Sequence, residues 1–551
     1  MSAAHELVER GFKVTVFEAR DVFGGKARSM PKPRSGTDGR ADLPAEHGFR
    51  FFPGFYRHLP DTMARIPHEN RTVAYHLVSA TRILMAQAGG PNELVAPAEA
   101  LGSIDDLGLA TRFMWEFGTR LSIKPPDLSV FFERLLALLC SCDERRYDEF
   151  EQMSWWEYTG ADHRSPGFQK FLATGLTRTL VAAQAKQISA RTGGLILCQL
   201  LFDMMRAGGR ADRVLDAPTS EVWIDPWIAY LSSRGVVLRG GYKVAGIDCD
   251  GRRITGVTVQ GAAGPERVVA DHYVAALPAE KLALLLSQDL LAAEPRLAPV
   301  PRLTVRWMNG MMFYLRHDVP LVPGHAIFID SEWALTAISQ AQFWPDVNLT
   351  QRGDGSVAGI LSVDISDWNT PGLNGKVAME CTEEEIREEV WRQLIDHIND
   401  GSLEVANVVT SFLDPDIQFP NPTKVTNLEP LLINTAGSWA DRPEAVTRIP
   451  NFFLAADFVR TYTDLATMEG ANEAARRAVN GILDATGSDA LRCPIWKLRE
   501  PAVLAPFRML DRLLWRLGLP VLPPVRVNPA GELEPTDPVA RGLVKAARWL
   551  R

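Results

Sequence analysis

The first thirty residues hold the residue types best suited to binding a nucleotide. An apolar run that reads as a buried strand ends at Glu18, and an acid at the tip of such a strand accepts hydrogen bonds from ribose hydroxyls in dinucleotide sites. Gly24 and Gly25 follow, and their missing side chains let the backbone approach a ligand closely. Lys26 and Arg28 add positive charge where a pyrophosphate would lie. This spacing predicts a dinucleotide-binding segment.

Two later segments could contact the same kind of ligand. Residues 45–56 combine glycines with aromatic side chains, which predicts a turn that lies against a flat ligand. Residues 454–457 read as a strand ending in the Asp457 carboxylate, which can accept hydrogen bonds from ligand hydroxyls. Thr467 then opens an Ala-rich helix, whose free N–H groups and positive dipole end would point at an electron-rich ligand edge. Each segment taken alone is more typical of an ordinary aromatic turn or of a plain capped helix.

The elements that must position these residues begin with a predicted helix over residues 2–10 and a strand over 14–18. Short strands with glycine turns are predicted over 235–238, 243–247, 254–259 and 272–278. In a dinucleotide-binding βαβ unit, a strand and a G-x-G-x-x-G turn precede such a helix. The sequence shows neither, and we expect roughly thirty or fewer upstream codons to encode both.

Together these segments resemble the plant-type phytoene and ζ-carotene desaturases of the flavin amine-oxidase superfamily. Three motifs carry the resemblance: Glu18-Ala19-Arg20-Asp21 with Gly24-Gly25-Lys26, then Glu46-x-Gly48-x-x-x-Phe52-x-Gly54-x-Tyr56, then Asn451 to Asp457 with Ala466 to Ala471. The resemblance implies an α/β (α+β) fold with a Rossmann-like FAD-binding domain, an inserted mixed-sheet substrate domain and a helical cap. It also implies FAD as cofactor. The implied reaction is desaturation, dehydroxylation or isomerisation of a long apolar isoprenoid or similar lipid.

The resemblance implies roles for individual residues. Glu18 and Ala19 would hold the adenosine ribose, and Ala466 would face the substrate. The other implied cofactor-binding positions are Arg20, Gly24, Gly25, Lys26, Arg50, Phe51, Tyr56, Val244, Asp457 and Met468. No metal site is expected.

Three positions depart from the desaturase pattern. Arg50 stands where the plant-type desaturases have His, and Ala456 replaces the usual Gly before the aspartate. Val222 aligns with the position of an active-site Arg. Because of these departures, the expected substrates also include hydroxysqualene-type and other isoprenoid lipids and unsaturated fatty acids. We assign no catalytic residue from the sequence.

The motif order divides the chain into six segments. The predicted division is a first FAD-binding segment over 1–60, a mainly helical cap over 61–230, a second FAD-binding segment over 231–290, a substrate-binding domain over 291–440, a third FAD-binding segment over 441–485, and a C-terminal amphipathic extension over 486–551.

Composition excludes several classes of protein. The chain has 551 residues and a formal net charge of −8, which argues against a nucleic-acid binder. Its six cysteines form no CxxC pair, so no metal-type spacing is evident, and scattered thiols fit a reducing cytosol. No apolar run is long enough to span a bilayer. We expect a cytoplasmic location, which includes peripheral attachment to the inner face of the membrane.

Two segments raise the question of contact with lipid. A helix around residues 131–139 is almost wholly apolar, which indicates either core or insertion into an apolar phase. Residues 507–517 alternate Phe and Leu with Arg508, Arg512 and Arg516, and such a basic amphipathic helix is typical of an interfacial anchor. Packing on its own domain is an equal alternative. A similar helix is predicted over 539–551.

Two rival functions remain open from the sequence. A flavin amine oxidase needs an aromatic cage at the flavin face, and Tyr462 is the nearest aromatic residue before the Met468 helix. A flavin-free scaffold fits the absent glycine turn, because a site without its pyrophosphate cradle should bind FAD poorly. The electron acceptor is expected to be a membrane quinone or oxygen.

Overall fold

The computed structural model describes residues 1–48, 50–89, 94–98, 123–175, 184–205, 210–421, 424–523, 525–528, 533–536 and 541. Helices and strands are interspersed along the chain, and the fold is of the α/β class. Its α-helices span Ser2–Val8, His58–Met63, Pro125–Cys140, Asp143–Arg145, Trp155–Thr159, Ala190–Met205, Asp225–Ser233, Ala279–Ala283, Gln288–Ala293, Glu383–His397, Met468–Thr486 and Ala505–Arg516.

Four short strands from distant regions of the chain form two parallel pairs. Thr15–Phe17 pairs with Val237–Arg239, and Tyr273–Ala275 pairs with Phe452–Leu454. In the portion of the chain that the structure describes, the two pairs are not hydrogen bonded to each other. A separate antiparallel sheet contains Lys243–Cys249, Ile254–Gly261 and Gly264–Val268. The strands predicted in this region are confirmed, with shifted bounds.

Helix Met468–Thr486 packs beside helix Ser2–Val8 and so joins the end of the cofactor segments to their beginning. The Thr467 hydroxyl accepts a hydrogen bond from the Gly470 N–H at 3.1 Å and caps the longer helix. Its buried face carries small residues such as Ala474, which allow close approach of the neighbouring helix. The predicted Ala-rich helix is confirmed and extends further than expected.

A seven-stranded mixed sheet forms the largest layer. Its strand order is Val408–Leu413, Asn309–Leu315, Gly359–Ile365, Thr336–Ser339, Gly324–Phe328, Arg82–Ala86 and Leu94–Pro97. Helix Glu383–His397 packs on one face of the sheet and starts with a Thr382–Glu385 capping box. Residues around Leu43 and Trp344 cover the other face. Two of the seven strands come from the range 61–230, which the sequence indicated to be mainly helical.

The remaining strands form two-stranded sheets that connect these layers. They are Pro67–His68 with Arg71–Thr72, Leu77–Ser79 with Arg213–Leu215, Val305–Arg306 with Leu431–Leu432, Ile417–Asn421 with Lys424–Asn427, and Val525–Val527 with Leu533–Pro535.

The helical cap has its own apolar core. Helix Pro125–Cys140 buries Phe131, Leu135 and Leu138 against neighbouring cap residues, so the core alternative for this helix is confirmed. Within the described residues, no helix is both long and apolar enough to cross a membrane. Four stretches of the predicted cap, residues 90–93, 99–122, 176–183 and 206–209, lie outside the described residues, as does the predicted helix over 539–551 except Arg541.

Candidate functional site

Residues of the three predicted motifs lie together in the structure. Arg50 Nη2 donates to the backbone carbonyl of Lys26 at 3.0 Å and to that of Arg28 at 3.3 Å. The Tyr56 hydroxyl is hydrogen bonded to the side chain of Thr467, and burial raises the pKa of Tyr56, so the phenol stays protonated. The second motif therefore contacts both the first and the third.

Glu469 fixes the second motif to the third. Its carboxylate accepts hydrogen bonds from the backbone N–H groups of Arg57, His58 and Leu59 at 2.7, 2.7 and 2.8 Å. The Nδ1 atom of His58 lies 2.7 Å from the same carboxylate. Glu469 thus satisfies the free N–H groups at the start of helix His58–Met63. The sequence does not indicate this role, although Glu469 lies inside the third motif.

Charges from the first and third motifs meet around Glu280. Lys26 Nζ donates to the Pro430 carbonyl at 2.5 Å. Burial raises the pKa of Glu280, and Lys26 and Asp457 both lie close enough to act on it, in opposite senses. Among the described residues, the buried Oε1 of Glu280 and the buried Nε of Arg50 have no hydrogen-bond partner. A polar ligand can satisfy such atoms, so this region fits a cofactor rich in phosphate and hydroxyl groups.

The loop after the first strand leaves backbone open to a ligand. Glu18 Oε1 accepts a hydrogen bond from the Arg20 N–H at 3.0 Å, and Ala19 is exposed. Gly24 and Gly25 have φ values of +110° and +57°, a region that favours glycine. The two glycines are therefore needed for the loop's conformation, whatever else they contact.

One group of metal-type side chains occurs in the described portion of the chain. Ligand atoms of His47, Asp414 and Asp416 lie within 4.8 Å of one another. Arg20 and Arg28 also approach Asp416, at 2.7 and 3.6 Å. Because two guanidinium groups already balance this carboxylate, we assign no metal here. The Arg20 guanidinium is likewise occupied by protein acids.

A buried ion network beside the third motif gave no sequence signal. Arg191 Nε lies 3.0 Å from Glu151 Oε2, and Arg191 Nη2 lies 2.5 Å from Asp464 Oδ2. Arg442 binds the other oxygen of Asp464. Burial raises the pKa of Glu151 despite the neighbouring Arg191 guanidinium. These four residues come from separate regions of the chain, so no local spacing could have linked them.

Two of the expected active-site positions have apolar or aromatic surroundings. Val222 is buried in an apolar cluster, so the position expected to hold an active-site Arg is apolar in this chain. Phe51 lies edge-on to His325, with ring centroids 5.4 Å apart, and His325 Nδ1 is 2.5 Å from Asp212 Oδ2. The sequence predicted neither His325 nor Asp212.

Three half-buried apolar side chains lie within or directly beside the third motif, and we term them the apolar strip: Leu465, Ala466 and Met468. Leu465 and Met468 pack against the cluster that contains Tyr56. Ala466 and Val244 pack at the edge of a second cluster. The strip therefore lies where two apolar cores and the three motifs meet.

Comparison with known sequences identifies the family of the chain. Residues 1–483 match the family described as flavin containing amine oxidoreductase. The zeta-carotene desaturase of Synechocystis sp. is 25% identical over 513 residues, covering 88% of this chain and 95% of that protein. The probable zeta-carotene desaturase of Synechococcus elongatus is 25% identical over 520 residues, covering 88% and 96%.

Solved structures share the fold. Cyclohexylamine oxidase from Brevibacterium oxydans IH-35A has a TM-score of 0.58 at 15% identity and covers 88% of this chain and 97% of its own. An oxidoreductase from Methanosarcina mazei has a TM-score of 0.53 at 12% identity with the same coverage. The family assignment favours an enzyme over the flavin-free scaffold. The chain belongs to the flavin-containing amine oxidoreductase family and is a FAD-dependent oxidoreductase.

Proposed function

We propose that this oxidoreductase acts on C–C bonds of a long apolar isoprenoid or similar lipid, by desaturation, dehydroxylation or isomerisation. The similarity to zeta-carotene desaturases over 88% of the chain supports the substrate class. The observation that carries the proposal is the apolar strip, because its side chains are half-buried while the neighbouring acids Asp464 and Glu473 are paired.

The acids on both sides of the apolar strip are fully engaged. Asp464 is held by Arg191 and Arg442. Glu473 accepts from the backbone N–H groups of Tyr462 and Thr463 at 2.7 and 3.0 Å. Neither carboxylate is therefore available to bind a cationic substrate. A hydrocarbon offers no hydrogen-bonding group, so an apolar surface must position it by shape.

FAD supplies the redox chemistry when bound, and the protein positions it and sets its surroundings. We propose that Glu18 and Ala19 hold the ribose, that Arg20 contributes its backbone, and that Ala466 faces the substrate. The other proposed cofactor-binding residues are Gly24, Gly25, Lys26, Arg50, Phe51, Tyr56, Val244, Asp457 and Met468. Arg50 and Tyr56 link the motifs, so they hold the loops in register for the cofactor.

The surroundings of Tyr462 argue against an amine oxidase. The Arg477 guanidinium lies 4.5 Å and the Lys497 ammonium 5.2 Å from the centroid of the Tyr462 ring. These two cations already contact the ring through cation–π interactions, so the ring is not free to contact an amine substrate. The predicted aromatic candidate is thus unsuited to an amine cage.

The electron acceptor that fits a lipid substrate is a membrane quinone, since both dissolve in the same phase. We accordingly propose that the enzyme works at a membrane surface on the cytoplasmic side.

Product analysis tests the substrate class. FAD-loaded protein is incubated with phytoene, ζ-carotene and an unsaturated fatty acid, with a quinone as oxidant. A hydroxylated squalene-type lipid is tested separately with a chemical reductant of the flavin in place of the quinone, because exchange of a hydroxyl for hydrogen consumes two electrons. Loss of two hydrogens indicates desaturation, loss of oxygen indicates dehydroxylation, and unchanged mass with altered retention indicates isomerisation. We expect one lipid to be converted, and Ala466→Phe to reduce conversion while Tyr462→Phe does not. Oxidation of putrescine or cyclohexylamine without conversion of any lipid would contradict the proposal.

A further inference from the structure

The C-terminal helix Ala505–Arg516 is fixed to the cap through one face. Phe507 is buried, and the helix contacts Pro125–Cys140 and Asp143–Arg145. Asp511, also buried, accepts hydrogen bonds from the Cys142 N–H at 2.8 Å and from Arg145 Nε at 3.0 Å. A charged side chain paired inside the protein fixes which side of the helix faces inward. The sequence left two alternatives open for this helix, packing on its own domain or anchoring at a lipid interface. They are compatible, because packing uses only this inner face.

Another face of the same helix is apolar and exposed. Met509, Leu510, Leu513 and Leu517 are each between 45% and 72% exposed. Their spacing of one, three and four residues places them in a single stripe along the helix, which we term the outer stripe. A contiguous exposed apolar patch of this kind marks an interaction surface.

Positive charge runs beside the outer stripe. Arg512 and Arg516 are exposed and one helical turn apart, and Trp515 between them is half-buried. Arg512 Nε lies 2.8 Å from Glu144 Oε1, but an exposed pair of this kind is weak and can give way to a phosphate. Residues 487–551 contain eleven Lys and Arg against six Asp and Glu, whereas the whole chain has a formal charge of −8. The extension is thus basic on an acidic protein, which localises attraction for anions to this region.

We propose that the outer stripe docks the enzyme on an anionic lipid surface. The side chains of the stripe would enter the acyl boundary, while Arg512 and Arg516 would reach the phosphate groups, as in interfacial amphipathic helices. Docking through the cap places the enzyme at the phase that holds its proposed substrate, and in that respect the inference rests on the proposed function.

A second copy of the chain fits the outer stripe less well. In a two-fold symmetric contact the same patch meets itself, so Arg512 and Arg516 would lie close to their own symmetry mates. Like charges brought together in this way oppose association. Lipid phosphates instead complement both arginines.

Vesicle sedimentation of the full-length, FAD-loaded protein tests the proposal. Phosphatidylcholine vesicles with and without phosphatidylglycerol are mixed with the protein in the absence of substrate. We expect binding to the anionic vesicles, weaker binding to the neutral ones, and loss of binding by about tenfold or more in the Leu513→Glu/Leu517→Glu variant. The matched control, Leu284→Glu/Val405→Glu, changes two exposed apolar residues elsewhere and should bind as the parent does.

Arg516→Gln separates the electrostatic contribution. We expect it to weaken binding to anionic vesicles by about fivefold and to lower the salt sensitivity of binding. Circular dichroism and flavin content verify that each variant is folded.

Three results would overturn the proposal: no vesicle binding by the parent, equal binding by parent and Leu513→Glu/Leu517→Glu, or a parent dimer that this variant converts to monomer without any lipid binding. Because no turnover is measured, vesicle binding by a protein that converts no isoprenoid would refute only the proposed function.

Discussion

The apolar strip and the outer stripe are two apolar surfaces held in different ways. The strip is half-buried, and the residues that fix it come from many regions of the chain, including Arg191, Arg442 and Asp464. The outer stripe lies on one helix, fixed by Phe507 and by Asp511. The comparison shows that the degree of exposure follows the way each surface is anchored. The half-buried strip, held by many distant residues, suits a single substrate molecule. The exposed outer stripe, carried by one helix, suits an extended lipid surface.

The largest expected effect comes from breaking the anchoring of the apolar strip. Asp464→Ala leaves Arg191 and Arg442 buried without their shared partner, which should lower the free energy of unfolding by about 3–5 kcal/mol. Urea unfolding followed by tryptophan fluorescence measures the change. Asp464→Asn keeps the shape and one acceptor and should cost less. Equal stability of Asp464→Ala and the parent would show that the network does not hold the strip.

A smaller effect is expected where the outer stripe is anchored. Phe507→Ala removes a buried ring and should lower the free energy of unfolding by about 3 kcal/mol. Leu513→Ser on the exposed face of the same helix is the matched control and should change it by no more than about 0.5 kcal/mol. Similar losses for both variants in thermal unfolding would mean that the outer stripe is covered in solution.

The contact between the cap and the sheet should make a pH-dependent contribution of about 2 kcal/mol to the free energy of unfolding. Asp330 lies 2.8 Å from Lys170 and 3.1 Å from His397. Burial alone would raise the pKa of Asp330, but these hydrogen bonds outweigh it and lower that pKa to about 2.

Because this pKa is lower in the folded state than in the unfolded chain, the stabilisation is complete above about pH 4 and is lost as pH falls towards about 2. Asp330→Asn should lack this component of the acid dependence. Identical acid unfolding profiles for the two proteins would exclude the ion pairs as its source.

The sequence predicted the local features of the site well and its long-range contacts poorly. Capping by Thr467 and the turn at Gly24 and Gly25 depend on neighbouring residues, so motif spacing revealed them. The apolar outer stripe of helix Ala505–Arg516 could also be predicted, because apolar residues recur at helical spacing in this segment.

The contacts made by Glu469 and Arg191 could not be predicted in this way. They join residues far apart in the chain, as the Glu469 hydrogen bond to the Arg57 N–H shows across a separation of 412 residues. A buried charge has no local pattern that names its partner. The strands Arg82–Ala86 and Leu94–Pro97 were missed for the same reason, because their place is set by the sheet they join.

The most direct test of the account is the visible spectrum of the purified protein supplied with FAD, recorded without oxygen before and after addition of substrates. We predict a bound-flavin spectrum that persists after gel filtration and is not bleached by putrescine or cyclohexylamine. An apolar isoprenoid that the enzyme desaturates bleaches it, because the two electrons removed from the substrate pass to the flavin. A protein that retains no flavin, or whose flavin is bleached by an amine and by no lipid, would contradict the central claim.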